Sequence, residues 1–389
     1  MGYWFPASER ADNRGRWEAA GAQYLRRPPP HSRLRKWTRL AIGASVSLLL
    51  LVVLAAAVIE HRLNEPAVVP RSWVAPTALP QAPPAAAIPP GNLVFDSDRA
   101  GNYEIFEMGA EGSGVRQLTH DRGYDSWWPQ ISPDRRTILF YRTPPGVHDR
   151  DYSKTSLWAM SATGADAVEL RPAGLDGWVY QGHAEWSPNG RQIVMFGGSR
   201  INPQIWVTDR LGRHPVQVTD RGGTNIDPSW YPDGRTIAFV GCPHSFCTPG
   251  DQEVYTVSAT GGTPERITDD GFADYDPTFS HNGRELAWLT KVSSSPGPVG
   301  TWDIRMIPVV RIGNTVRAAP GAEPRLLLPD HPGTVNSKPS WSLDDRTIYF
   351  HRGYGNLADG FQIWEVDPDG SHLRELTTGQ PGSNEYPSS

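Results

Sequence analysis

The chain has 389 residues, a formal net charge of −5 and 38% hydrophobic residues. The mildly acidic balance argues against a general nucleic-acid-binding protein, which usually carries a basic face. Two cysteines are too few for a disulfide-stapled miniprotein, a four-cysteine zinc site or an iron–sulfur cluster held by four cysteines. With 39 glycines and 37 prolines, the composition predicts many turns and a linker, and it argues against a long helical bundle.

An uncharged apolar segment, residues 40–59, is the strongest single signal near the N-terminus. Its twenty residues are enough to cross about 30 Å of hydrocarbon as a helix. Residues 1–39 hold nine basic and three acidic residues, a net charge of +6. The positive-inside rule then predicts a single-pass signal anchor in the cytoplasmic membrane, with a cytoplasmic tail and the rest of the chain outside. The alternative is a cleaved signal peptide, but both the basic segment and the apolar run are longer than is usual for a signal peptide.

Residues 60–91 form a segment rich in proline and alanine. Eight prolines lie between positions 65 and 90, and they prevent a helix or a sheet from propagating. The segment is therefore predicted to be an extended linker that holds the following domain away from the membrane.

From residue 92 to residue 389 the chain repeats a strand–turn–strand motif of the type PSWYPDGRTIAF. Five copies lie at residues 129–140, 184–196, 228–239, 277–288 and 339–350. In the turn, proline presets φ, Asp or Asn caps the turn and glycine permits tight reversal, so each copy is predicted to be a hairpin. Two copies lack that glycine and carry Arg135-Arg136 and Asp344-Asp345 instead, which predicts looser turns.

Two further strands follow each hairpin. The third carries an aliphatic–aromatic pair such as Ile205-Trp206, and the fourth ends in threonine in most copies, as at Thr219. Each unit is thus a four-stranded antiparallel meander that is too small to bury its faces alone. The first unit, from residue 93, lacks its first strand, and residues 384–389 match the start of that strand. The sequence therefore predicts an all-β, six-bladed β-propeller over 92–389, closed by the C-terminal strand and preceded by one transmembrane helix and the linker.

These repeats, with the segment DSDRAGNYEIFEMGAEGSGVRQLT near their start, resemble the TolB family of WD40-like (PD40) propellers. The resemblance covers residues 92–389. It implies a six-bladed propeller outside the cytoplasmic membrane that binds other proteins or peptides. The chain has a predicted membrane anchor and linker where TolB itself has an N-terminal α/β domain, so it looks like a membrane-anchored variant.

The common hydrolase motifs are absent, because neither G-x-S-x-G nor H-E-x-x-H occurs. The predicted function is accordingly a non-catalytic protein- or peptide-binding module of the cell envelope. No nucleic-acid partner is expected.

The candidate binding site is the channel mouth, where the loops before the first strand of each blade are expected to gather. The residues directly before the aligned proline, or before Ala184 in one copy, are Trp128, His183, Asp227, Asp276, Lys338 and Tyr386. Neighbouring Trp127 and Glu385 complete the predicted mouth, and Trp127 and Trp128 are the tryptophans best placed to touch a ligand. Its mixed charged and aromatic character suits a cationic peptide group or a partner loop. The alternative for any single aspartate is that it only caps a turn.

A second hypothesis places a divalent cation between His183, Asp227 and Asp276, which come from consecutive blades. Oxygen-rich ligands would suit calcium or manganese, although no diagnostic spacing demands a metal. With such an ion the channel could act as a metal-dependent polysaccharide lyase of the oligogalacturonate type, or as another carbohydrate-active enzyme.

The two cysteines, Cys242 and Cys247, follow the second strand of the fourth blade. Outside the membrane so close a pair is predicted to form a disulfide that clamps the loop, because a redox-active pair usually has C-x-x-C spacing.

Overall fold

A computed structural model of the chain describes Val52 and residues 65–70, 72–242, 247, 250–293, 301–328, 333–354 and 360–389. Within these ranges no helix is both long and apolar enough to span a membrane. The predicted tail, the predicted anchor apart from Val52, and the start of the linker lie outside the described residues. The chain divides into two compact units, Met1–His61 and Arg62–Ser389, and the fold described below is that of the second.

Strands dominate the described part of this unit. The first eleven are β1 (Leu93–Ser97), β2 (Glu104–Met108), β3 (Arg116–Gln117), β4 (Asp125–Ile131), β5 (Thr137–Thr143), β6 (Ser156–Ser161), β7 (Val168–Arg171), β8 (Tyr180–Trp186), β9 (Gln192–Gly198), β10 (Pro203–Asp209) and β11 (Val216–Gln217). The next seven are β12 (Asn225–Trp230), β13 (Thr236–Gly241), β14 (Glu253–Ser258), β15 (Glu265–Arg266), β16 (Ala273–Phe279), β17 (Glu285–Ser293) and β18 (Thr301–Ile312). The last are β19 (Thr315–Ala318), β20 (Arg325–Leu326), β21 (Thr334–Trp341), β22 (Ile348–Tyr354), β23 (Gln362–Val366), β24 (Arg374–Glu375) and β25 (Asn384–Ser388). Short 3₁₀ turns occur at Pro84–Ala86, His148–Arg150, Tyr152–Lys154 and Leu175–Gly177.

Four of the sheets are antiparallel four-stranded meanders. Sheet 1 has the order β25-β1-β2-β3, sheet 2 is β4 to β7, sheet 3 is β8 to β11 and sheet 4 is β12 to β15. The fold is therefore all-β and propeller-like, as the repeats predict.

Sheet 5 differs from the prediction of six separate blades. It joins the last two predicted blades in one nine-stranded sheet, because Trp302 at the start of β18 pairs in parallel with Val335 of β21. β18 is also longer than the other third strands, because its last residues continue past the blade and pair with β19. On either side of that contact, β16-β17-β18-β20 and β21-β22-β23-β24 each keep the meander order.

Sheet 1 is assembled from both ends of the repeat region. The inner strand β25 pairs with β1, with Asp96 opposite Glu385 and Ser97 opposite Asn384. Arg99 reinforces the junction, because its guanidinium donates to Gln380 Oε1 at 2.6 Å and also to Asn384. This pairing covers an edge of β1 that would otherwise be open.

The core lies between neighbouring sheets. The repeated tryptophans of the inner strands, Trp186, Trp230 and Trp341, are 3 to 5% exposed and pack against aliphatic residues of adjacent strands. They are structural residues, as the repeat positions indicate.

The turns without glycine are not looser than the others. Arg135 and Asp345 adopt φ of 57° and 59°, close to the 65° of Gly190 and Gly234 at the same place. Arg135 N–H donates to Ser132 O at 2.7 Å, and the corresponding Gly190 bond is 2.8 Å. The expectation was wrong because both side chains make contacts that hold the left-handed conformation. Arg135 bonds to the linker, and Asp345 accepts from the His281 N–H at 2.6 Å.

Part of the linker packs on sheet 2 and does not extend away from it. Ala82 N–H donates to Arg136 O, and Ile88 N–H donates to Arg135 O, each at 2.9 Å. The Ala82 and Ile88 side chains are 1% and 2% exposed. Prolines remove donors from the linker, but these two residues keep theirs and meet carbonyl oxygens of the turn after β4.

Cys242 and Cys247 form a disulfide directly after β13, with their Cα atoms 5.5 Å apart.

Candidate functional site

Six non-glycine residues at one position of the inner strands share an unusual backbone conformation, and they are the six that precede the aligned proline or alanine. Their φ angles are 54° at Trp128, 50° at His183, 50° at Asp227, 48° at Asp276, 50° at Lys338 and 49° at Tyr386. A register shift in strand pairing occurs at each of these positions, so each inner strand carries a β-bulge. We call these six residues the bulge ring.

The sequence explains why the inner strands bulge there. Proline follows the bulge residue in five of the six copies, and proline cannot donate to the ladder. Three bulge N–H groups turn to side chains of the preceding repeat instead. Trp128 N–H donates to Asp96 Oδ1 at 3.2 Å, and Asp276 N–H donates to Asp227 Oδ2 at 3.4 Å. Tyr386 N–H donates to His351 Nδ1 at 3.1 Å.

A cavity of about 850 Å³ opens on the side of the bulge ring where the inner strands begin. Of the predicted mouth residues, those lining it are Trp128, His183, Asp227, Asp276, Glu385 and Tyr386. Further aromatic side chains on its wall are Tyr103, Tyr152, Tyr275, Trp302 and Phe361. The wall therefore combines ring faces with carboxylates.

His183 is held in place from three sides. Its Nδ1 hydrogen-bonds to Asp227 Oδ1 at 2.5 Å, and its Nε2 to Tyr152 Oη at 2.8 Å. Its ring stacks on Trp128 with the centroids 3.9 Å apart. The imidazole is thus fixed in orientation, with both nitrogens used.

A second histidine, His148, links two acidic groups on the other side of the cavity. Its Nε2 lies 3.0 Å from Asp96 Oδ2, and its Nδ1 lies 3.3 Å from Asp149 Oδ1. Burial disfavours the charged ring, but the hydrogen bonds to Asp149 and Asp96 outweigh it and raise the pKa of His148 to about 10. His148 is therefore cationic at neutral pH, and Tyr386 Oη donates to the remaining side of Asp149.

The remaining carboxylates lie where negative charge is costly. Burial, together with the neighbouring Asp227, raises the pKa of Asp276 to about 6. Burial also raises the pKa of Glu385, which accepts hydrogen bonds from Tyr103 Oη at 2.9 Å and Ser383 Oγ at 2.6 Å. A ligand that brought positive charge would relieve this repulsion, so the cavity suits a cationic group.

Two of the predicted mouth residues lie elsewhere. Trp127 is fully buried and packs against Tyr141, His148 and Tyr152, so the prediction that it touches a ligand is wrong. The bulge at Trp128 separates the two neighbours, because only the bulge residue turns towards the cavity. Lys338 lines a smaller cavity of about 370 Å³ at the hairpin-turn ends of the inner strands, with its Nζ 4.4 Å from the centre of the Trp128 ring.

The predicted metal ligands do converge. Their ligand atoms, one each from His183, Asp227 and Asp276, lie within 4.8 Å of one another, a distance that fits a divalent cation. Because both nitrogens of His183 already have partners, a cation would have to displace Asp227 or Tyr152 from the ring. Such a metal, and with it the lyase alternative, stays a prediction.

The β5–β6 loop contributes residues to the cavity that were not predicted from the repeats. His148, Asp149 and Tyr152 come from this loop, which spans residues 144–155 and contains the segment HDRDY. Its unusual length between the second and third strands, with its aromatic and ionisable residues, is the signal that could have identified it.

Comparisons with known proteins agree with this fold. The family model for the TolB beta propeller domain, PD40, matches residues 179–297. A Chlorobium luteolum protein described as a TolB homolog is 28% identical over 151 residues, which is 38% of this chain and 31% of that protein. This alignment spans about a third of the relative's length.

Two solved structures show the same fold. TolB from Acinetobacter baumannii aligns with a TM-score of 0.59 and 16% identity, over 77% of this chain and 66% of that one. A TolB-type protein from Agrobacterium tumefaciens aligns with a TM-score of 0.52 and 14% identity, over 73% and 87%. The repeat match, the homologue and these folds together show that the propeller of this chain is similar to TolB-type PD40 propellers.

Proposed function

We propose that this protein is a membrane-anchored binding module of the cell envelope, and that its propeller holds a segment of a partner protein or peptide without transforming it. The observation that carries the proposal is the cavity of about 850 Å³ lined by aromatic rings and carboxylates. A cavity of this volume accommodates a few residues of an extended or turn-shaped segment, within the range of small-ligand sites. The partner would therefore insert a short segment and not a whole domain.

The chemistry of the wall defines the segment. The five carboxylates that line the cavity belong to Asp98, Asp149, Asp227, Asp276 and Glu385, whereas Arg150 and the protonated His148 supply the positive charge. Ring faces next to carboxylates bind ammonium and guanidinium groups through cation–π and ionic contacts. The expected ligand is a peptide that presents lysine, arginine or an N-terminal amine, flanked by an apolar residue.

The proposed location follows from the sequence. The apolar run at residues 40–59 would anchor the chain in the cytoplasmic membrane, and the basic tail before it would keep the N-terminus inside. The six sequence repeats would then form a six-bladed ring outside. The Cys242–Cys247 disulfide supports this location, because disulfides persist in oxidising compartments.

The test is affinity capture from native envelope extract with the full chain in detergent. It is run beside an Asp227→Asn/Asp276→Asn variant, since asparagine keeps the shape of the side chain and tolerates the positive φ of the bulge. We expect a stoichiometric partner whose cross-linked segment is basic, and at least a tenfold loss of capture in the variant.

A matched control changes the opposite end of the inner strands. His281→Ala and Leu343→Ser alter the smaller cavity and leave the larger one unchanged. Capture that survives the aspartate changes but is lost in this control would move the site to the hairpin-turn face. Capture of no partner by the unaltered protein would reject the proposed function.

A further inference from the structure

A polar triplet joins consecutive sheets in four places. Each triplet has Glu or Gln near the start of a third strand, Thr after the fourth strand, and Asp or Asn in the inner strand of the next sheet. The four copies are Glu104–Thr119–Asp125, Gln204–Thr219–Asn225, Glu253–Thr268–Asp274 and Gln362–Thr377–Asn384. In each copy the threonine Oγ1 accepts the N–H of the residue after the Glu or Gln, at 2.8 to 3.0 Å.

In the two copies with amide side chains, the asparagine Nδ2 donates across the junction, although Asn225 Oδ1 has no partner among the described residues. Asn225 Nδ2 lies 3.3 Å from Gln204 Oε1, which also accepts from Thr219 Oγ1 at 2.8 Å. Asn384 Nδ2 donates to Gln362 Oε1 at 2.9 Å in the other copy. The asparagine therefore supplies the donor that links one sheet to the next.

The copy between sheets 4 and 5 has two carboxylates in this arrangement and thus lacks that donor. Thr268 Oγ1 donates its one proton to Glu253 Oε2 at 2.6 Å. Thr290 Oγ1 donates to Asp274 Oδ1 at 2.8 Å. Among the described residues, Asp274 Oδ2 has no hydrogen-bond partner, although the side chain is 0% exposed. An unpartnered carboxylate oxygen this deeply buried is costly unless a cation or a proton meets it.

The other acidic copy differs because its aspartate is satisfied by the backbone. Asp125 accepts the Tyr103 N–H at 3.3 Å and the Gly146 N–H at 2.6 Å. Glu104 Oε2 of that copy is also buried without a partner, but among the described residues only the junction between sheets 4 and 5 brings a third carboxylate to the pair.

A third carboxylate completes that junction. Asp270, in the loop between β15 and β16, brings a ligand oxygen within 4.8 Å of those of Glu253 and Asp274. Arg266 contacts Glu253 Oε1 and Arg305 contacts Asp270 Oδ2, each at 2.6 Å. The second oxygens accept from Thr268 Oγ1 and from the Phe272 N–H, so a cation would share these oxygens with their present donors. Burial, with repulsion from Asp270 and Glu253, raises the pKa of Asp274 to about 7.

We propose that Glu253, Asp270 and Asp274 bind one calcium ion that fastens sheet 4 to sheet 5. Calcium accepts six to eight oxygen ligands in flexible geometry, whereas magnesium demands a near-ideal octahedron and keeps several waters. The ion takes the place of the asparagine donor in the amide copies. This site is distinct from the channel cavity and does not depend on the proposed function.

The test is a calcium titration of the chelator-treated full chain in detergent, by calorimetry and by thermal unfolding at pH 7.5. The key variant, Glu253→Gln/Asp274→Asn, copies the Gln204–Asn225 pair that the chain already uses. We expect a calcium-binding event of one ion per chain and a calcium-dependent rise in Tm for the unaltered protein. The affinity should fall at least tenfold in the variant, and the rise in Tm should disappear.

Two further variants keep the outcome unambiguous. Asp276→Asn alters the channel cluster and should leave this calcium-binding event unchanged. Asp270 lies in an exposed loop, so Asp270→Asn should fold even if the double variant does not. This variant should also weaken calcium binding. The proposal is overturned if the unaltered protein binds no calcium, if calcium binding survives in the variants of this site, or if it is lost in Asp276→Asn. If the unaltered protein binds no calcium, we conclude that Glu253 and Asp274 share a proton.

Discussion

The bulge ring holds six side chains in a backbone conformation that is disfavoured for residues with a Cβ atom, by about 1 kcal/mol each. Four of the six carry charge or an imidazole, and five line the proposed binding cavity. Backbone strain of this kind is often found where a side chain must be presented in one direction. At each position of this ring, the bulge interrupts the alternation of side chains between the two faces of the strand and turns the bulge residue in a new direction.

The strain can be measured at Lys338, which has a φ of 50°. Lys338→Gly and Lys338→Ala both remove the side chain, but only glycine is free of strain there. We expect the glycine variant to be more stable than the alanine variant by about 1 kcal/mol in denaturant unfolding. Within an ordinary strand, alanine is more stable than glycine. An alanine variant as stable as the glycine variant, or more stable, would therefore show that the bulge carries no strain.

Asp276 should make stability depend on pH. Its pKa is about 6 in the folded protein against an ordinary value of 3.8, so the folded state holds the proton more tightly. The stability of the protein should therefore fall as pH rises from about 4 to about 6 and then level off. Asp276→Asn removes this loss, and its Tm should exceed that of the unaltered protein by a few degrees at pH 7.5 but not at pH 4. A variant that is less stable at pH 7.5 would contradict this account.

The individual site residues were predictable only in part. Alignment of the repeats identifies all six bulge positions, because proline follows five of them. It does not reveal that Trp127 faces the core and Trp128 the cavity, since a bulge breaks the alternation on which such predictions depend. His148 lies in an irregular loop, where no periodicity links sequence to position.

Among the structural elements, one hairpin turn that lacks glycine makes additional contacts with the linker. Arg135 occupies a glycine position, and its guanidinium donates to Ile88 O at 2.8 Å, Pro89 O at 3.0 Å and Asn92 O at 2.9 Å. The turn after β4 is thereby the attachment point of the linker. The repeat sequence predicts the turn, but not this contact, because the linker has no pattern of its own.

Replacing Arg135 with glycine should preserve the turn and release the linker. The positive φ suits glycine, so the propeller should stay folded while the three bonds to residues 88–92 are lost. We expect the amide of Ile88 to exchange with solvent at least tenfold faster, as measured by hydrogen exchange. Asp345→Gly is the matched control at the other glycine-free turn, and it should leave exchange at Ile88 unchanged.

The nine-stranded sheet is the element that the repeat count did not foresee. The repeats define where β18 lies, but they reveal neither its continuation to Ile312 beside β19 nor the pairing of Trp302 with Val335 of β21. Such non-local pairing leaves no mark on the hydrophobic pattern of the strand itself.

For the propeller as a unit, the closing contact between β25 and β1 is the one that turns a row of sheets into a closed arrangement. Deleting residues 384–389 would expose the edge of β1 and remove the buried Tyr386 side chain. We expect Tm to fall by more than 10 °C or cooperative unfolding to be lost, as followed by circular dichroism.

Tyr386→Phe provides the comparison for that deletion. It keeps the strand and removes only the hydroxyl that donates to Asp149. Its Tm should change by no more than a few degrees, since one partly buried hydrogen bond contributes about 1 kcal/mol. If the deletion lowered Tm by no more than this substitution does, β25 would not be needed for closure.

The closing strand also carries part of the binding cavity, because Glu385 and Tyr386 of β25 both line it. During synthesis, sheets 2 to 4 can form before β25 has emerged, but the cavity cannot. A chain without β25 therefore lacks Glu385 and Tyr386 in this wall. If the cavity holds the proposed ligand, binding requires the completed propeller.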